Sequence, residues 1–168
     1  MKQSSPKSAA LFVLSSGAMA LLMQACGGGG DAHAQSTTAV ADPIEGLWQS
    51  TVSLKDCASG APLGGFRGLT IFNSGGTANA DGNQPSATKS AALGTWKRTA
   101  TGSYTIDLRF WRYGNDGITT GQQRLTRTIT LAADGRSLTS TITTQALDAG
   151  DNVVLTACGT ESGARIGS

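Results

Sequence analysis

Histidine is nearly missing from this chain. Its 168 residues include one, His33, in a stretch of Ala, Ser, Thr and Gln where no second group can be held against it. That excludes triads built on a histidine base and metal sites built on imidazole. Carboxylates are sparse, with 11 Asp and Glu in all. Asp81, Asp116, Asp134, Asp148 and Asp151 stand at or near Gly and Asn, where Asp hydrogen-bonds its own backbone and turn formation explains it. Asp81-Gly82-Asn83 is too short for a calcium loop. No helical period appears after residue 42. No apolar run is long enough to cross a bilayer as a helix, which takes ~20 residues.

The longest apolar run, Ala9–Met23, has another use. Lys2 and Lys7 precede it, and together residues 1–25 read as a secretory signal. Two cut sites follow. Met23-Gln24-Ala25-Cys26 resembles the lipobox of bacterial lipoproteins, with Met23 where Leu is usual and Gln24 where a small residue is usual. The resemblance implies that the Cys26 thiol takes a diacylglycerol and that Cys26 becomes the first mature residue. The rival is Ala32-His33-Ala34, an ordinary signal-peptidase site that would release the protein to the periplasm. Cys26 directly follows the signal, whereas Ala34 lies beyond four glycines, so the lipoprotein reading is preferred. Residues 26–42 then form a flexible Gly/Ala/Ser/Thr tether. By resemblance to enterobacterial sorting, Gly27 after the cysteine implies the outer membrane, with the lipid anchor as the membrane contact.

Cleavage before Cys26 removes Lys2 and Lys7 from the 13 basic residues and no acidic one, so 11 of each sign remain. A chain without net charge has nothing to draw nucleic acid or an anionic surface. Cys57 and Cys158 are left to pair in an oxidising compartment.

The remaining sequence alternates with period two between turn signals. Strands are expected over Ile44–Lys55, Leu63–Asn73, Thr77–Ala80, Ala92–Thr99, Gly102–Tyr113, Ile118–Ala132, Arg136–Leu147 and Asn152–Cys158. Asp81–Ser90 is the longest loop. Its Ser86-Ala87-Thr88-Lys89 has the S-x-x-K spacing of penicillin-recognising enzymes, but the partner motifs are missing and the stretch is loop, not helix. Leu63–Asn73 is ambiguous in phase, because Phe66 and Phe72 oppose Leu69 and Ile71. Eight antiparallel strands with short turns predict an all-β, up-and-down barrel, with a β-sandwich as the alternative. The domain is expected over 43–161, with 162–168 as a C-terminal tail.

Gly46-Leu47-Trp48 on the first strand resembles the G-x-W of lipocalins and other calycin-type barrels, and Gly94-Thr95-Trp96 repeats it. The resemblance implies that Trp48 closes the narrow end, covered by an Arg from the last strand. Asn152–Cys158 contains no Arg. Arg127, in the apolar phase between Leu125 and Ile129, is the barrel-closing candidate beside Trp48 or else a binder of a ligand's carboxylate head group, and Arg165 behind the last strand is the other cation able to cover Trp48. The lack of a usable histidine argues against the heme-binding calycins.

These features point to a protein that binds rather than catalyses, with no cofactor. One expectation is a tethered barrel holding a small apolar or amphiphilic ligand in a cavity lined by Tyr104, Ile106, Leu108 and Phe110. The alternative is a protein-interaction module, such as a hydrolase inhibitor or envelope accessory subunit. Its contact residues would be Arg109, Trp111, Arg112 and Tyr113, of types that anchor interfaces.

Overall fold

The computed structural model describes residues 40–167. The signal over 1–25, Cys26, the Ala32-His33-Ala34 site and the tether up to residue 39 lie outside them. Among the described residues, eight antiparallel strands close into a lipocalin-like barrel in chain order, and β1 pairs with β8 to shut it. They are β1 Gly46–Asp56, β2 Pro62–Phe72, β3 Thr77–Gly82, β4 Ala92–Ala100, β5 Ser103–Tyr113, β6 Thr119–Leu131, β7 Ser137–Leu147 and β8 Val153–Arg165. Closure leaves no strand at an open sheet edge, although only Gly68–Phe72 of β2 pairs with β3. A short 3₁₀ turn, Ser86–Thr88, interrupts the β3–β4 connection.

Alternation explains most strands directly. On β5, Tyr104, Ile106 and Leu108 are buried while Asp107 and Arg109 face outward. On β7, Leu138, Ser140, Ile142 and Thr144 point in, and the threonines between them point out. The hairpins follow from their aspartates. Asp116, Asp134 and Asp148 each accept a hydrogen bond from a backbone N–H two residues on, at 2.9–3.0 Å.

The structure settles the phase of β2, which the sequence left open, and lengthens β8. On β2 the inward phase is Phe66, Gly68, Thr70 and Phe72, which leaves Leu69 and Ile71 partly exposed. The last strand runs to Arg165 rather than stopping at Cys158, so residues 162–165 are sheet and not tail. Its inward positions are Ala157, Gly159, Glu161, Gly163 and Arg165, a face with no large apolar residue to signal a strand. The small side chains suit the closing seam. A Cβ on Gly159 would come within 2.8 Å of the Leu54 side chain on β1.

The barrel has two unlike ends. The N-terminal approach, the β2–β3, β4–β5 and β6–β7 turns and the C-terminus share one end. That end is filled. Ile44, Trp48, Phe72 and Tyr104 are at most 2% exposed there. Trp96 packs edge-on against both Phe72 and Tyr104, with ring centres 6.1 and 5.9 Å apart, and its indole N–H donates to Asn73 O. The four remaining connections surround the other end.

Candidate functional site

The open end leads into a cavity of about 390 Å³. Its apolar wall comes from Leu54 on β1, Phe66 on β2, Leu108 and Phe110 on β5, and Leu125 on β6. Each is an inward position between the middle and the mouth end of its strand.

Arg127 forms the floor. Rooted on β6, it reaches across the lumen, and its Nη1 donates to Thr70 Oγ1 on β2 at 3.2 Å and to Glu161 Oε1 on β8 at 2.9 Å. Ser140 on β7 donates to the other Glu161 oxygen at 2.6 Å. The side chains of Arg127 and Glu161 are 7% and 2% exposed. A buried ion pair of this kind holds only when its remaining valences are met, and Thr70 and Ser140 meet two of them. This cluster explains the phase of β2: the lumen needs an oxygen at Thr70 more than it needs Ile71. Arg127 Nε is buried and has no partner among the described residues.

The mouth is polar at one side. Lys89, after the 3₁₀ turn, pairs with Asp81 at the end of β3, and its ammonium lies 6.0 Å from the Phe110 ring centre. The hydrogen bond from Lys89 holds the Asp81 carboxyl below the usual carboxylate range. Ser90 N donates to Trp111 O and Trp111 N donates to Ser90 Oγ, both at 3.0 Å, which ties the β3–β4 connection to β5. Arg112 and Tyr113 complete this side, and Arg112 Nη1 donates to Leu147 O at 3.5 Å. Apolar side chains stand outside the mouth: Ile118 is 66% exposed and Val154 60%.

The β1–β8 seam is fastened at both ends. At the mouth Cys57 and Cys158 form a disulfide across 101 residues. At the closed end Arg165 covers Trp48, its guanidinium carbon 4.5 Å from the indole centre. Arg165 also donates to the carbonyls of Pro43, Glu45 and Gly135. Gly46 makes room for this, with φ at +118° and an absent Cβ that would lie 2.8 Å from Arg165 Nη1. Arg165, and not Arg127, therefore covers Trp48. The expectation failed because β8 is longer than its hydrophobic signal.

The remaining sequence candidates divide. Leu108 and Phe110 line the cavity, while Tyr104 and Ile106 lie outside its lining, in the packed interior. Tyr104 O–H donates to Asp42 Oδ1 at 2.7 Å. Burial first, and this hydrogen bond second, raise its pKa above the ordinary value. Arg109 and Trp111 face outward, and Arg112 and Tyr113 turn into the mouth. Sequence reading missed Leu54, Phe66, Lys89 and Glu161. Leu54 was visible as an inward-phase apolar residue of β1, whereas Phe66 lay on a strand whose phase the sequence left open. Glu161 had a signal too, as a lone carboxylate away from any turn.

Comparison with protein-family models, curated proteins and solved structures found no match for this chain.

Proposed function

We propose that the protein is a non-catalytic lipoprotein of the bacterial cell envelope, whose barrel holds a small apolar or amphiphilic ligand. The observation that carries this reading is the half-filled interior: an apolar cup of about 390 Å³ with one mouth, standing on a charged floor. Cavities of roughly 300–1,000 Å³ with apolar walls and a few placed polar groups are the usual form of small-molecule sites. The chain enters the barrel at the closed end, where Ile44 is fully buried. A lipid tether from Cys26 would thus join the domain at the end opposite the mouth.

Native mass spectrometry of the protein taken from its own host tests the reading. An added mass that organic solvent extracts is the expected result, on a mature chain that begins at an acylated Cys26. A chain with no mass beyond its acyl groups counts against the ligand. A mature chain that begins at Gln35 removes the anchor and leaves a periplasmic or secreted cup.

A second reading, the protein-interaction module, draws on one observation. Trp111 is about half exposed on the outer face, and Ile118 and Val154 are exposed outside the mouth. It requires that Trp111→Ala, combined with deletion of residues 84–89, release a co-purifying envelope protein.

A further inference from the structure

We infer that the end of the ligand that reaches the barrel floor is an uncharged hydrogen-bond acceptor, such as a ketone, ester or amide oxygen on an apolar chain, received by Arg127. The inference rests on the ligand-binding reading above and adds the chemistry of the buried end.

Donor accounting comes first. Both N–H groups of Arg127 Nη1 are used, on Thr70 and Glu161. Nε is buried without a partner, and Nη2 makes no hydrogen bond among the described residues. Nε is enclosed, so the donor open to the lumen is Nη2, and an acceptor brought to it is rewarded. Above the floor the wall carries Gln123, level with Phe110 and so nearer the mouth, and Thr144, which is already satisfied. Its Oγ1 accepts from Gln123 Nε2 at 2.6 Å and donates to Arg124 O at 3.1 Å. The free donors at the floor therefore belong to Arg127.

Charge decides what kind of acceptor fits. Glu161 sits 2.9 Å from Arg127 and is itself 2% exposed. The guanidinium charge is thus already balanced inside the barrel. A ligand carboxylate beside it would place two buried anions around one cation, and the surplus negative charge would have no partner. A carbonyl oxygen uses the same donors and adds no charge. An ionised group has a better place at the mouth, where it stays in water beside Arg112. The cavity takes about a dozen non-hydrogen atoms, at roughly 30 Å³ each.

The test uses the full chain and three probes matched in size: methyl nonyl ketone, decanoic acid and dodecane. Each displaces N-phenylnaphthylamine fluorescence from the wild type and from the paired variant Arg127→Met with Glu161→Leu. The paired change removes the floor without leaving a lone buried charge. The ketone should weaken about tenfold or more in the variant, while dodecane and decanoate change less than about twofold. Unchanged dodecane displacement also reports that the cup is intact. Equal weakening of decanoate would place a carboxylate at Arg127 and overturn the inference, as would a ketone that does not weaken. If no probe displaces the dye from the wild type, the ligand-binding reading fails and takes this inference with it. A second measurement needs no variant. The infrared carbonyl stretch of carbon-13-labelled ketone bound to the wild type should fall below its value in hydrocarbon solvent. A stretch at the hydrocarbon value overturns the inference.

Discussion

Arg165 and Trp48 are partners twice over: opposite each other in register across the β1–β8 seam, and stacked, with the guanidinium carbon 4.5 Å from the indole centre. The same seam carries the other cross-barrel ties. Val52 stands opposite Glu161, the anion that holds Arg127, and the pairing Asp56 to Ala157 leads into the disulfide between Cys57 and Cys158. The ladder that joins the ends of the chain is thus tied at its base, its middle and its rim.

Removing the base tie should destabilise the barrel. Arg165→Ala loses the cation–π contact and the hydrogen bonds to three backbone carbonyls, a loss of about 2–4 kcal/mol. Urea denaturation measures it. Arg165→Lys keeps the charge but not the planar fork and should restore less than half. Gly46→Ala acts in the same direction, because Gly46 holds a positive φ under the guanidinium.

Reducing the rim tie should be costly for stability and mild for shape. The disulfide closes 101 residues, and losing a constraint of that span destabilises a domain by about 2–5 kcal/mol. Denaturation with and without dithiothreitol should show this shift. The reduced barrel should keep its strand content in circular dichroism, since the ladder from Trp48 to Asp56 remains.

The middle tie predicts strong coupling. Arg127→Met alone or Glu161→Leu alone leaves one buried charge without its partner and should destabilise by about 3–5 kcal/mol. The double variant should recover most of that loss. A double-mutant cycle followed by urea denaturation checks the expectation, and additive single effects would contradict it.

Alkaline pH should weaken the closed end through Tyr104. Burial and the hydrogen bond to Asp42 raise its folded pKa above the unfolded value of 10.0. The folded chain therefore holds this proton where the unfolded chain has released it. The resulting stability is complete below pH 10.0 and is lost as pH climbs from there through the folded value. Denaturation midpoints over that range should fall more steeply for the wild type than for Tyr104→Phe.

Much of the barrel was legible in the residues. Period-two alternation on β5, β6 and β7, with Asp at the hairpins, is enough to call eight antiparallel strands, and Gly46-Leu47-Trp48 marks the closed end. The pairing of Cys57 with Cys158, expected once Cys26 is read as the lipid anchor, is the disulfide the structure forms. The candidate site was legible only in part. Leu108 and Phe110 were found because β5 is apolar throughout its inward phase, but nothing along that strand says where packing ends and the cavity begins.

That boundary is set by Arg127, Thr70, Ser140 and Glu161, one each from β6, β2, β7 and β8. By itself the sequence determined that the domain is all-β, with eight strands and their turns, because those depend on neighbours along the chain. Only the tertiary structure decided the phase of β2, the reach of β8 and the height of the floor. These depend on hydrogen bonds and charge balance across the lumen, between residues as far as 57 positions apart, which no local pattern encodes.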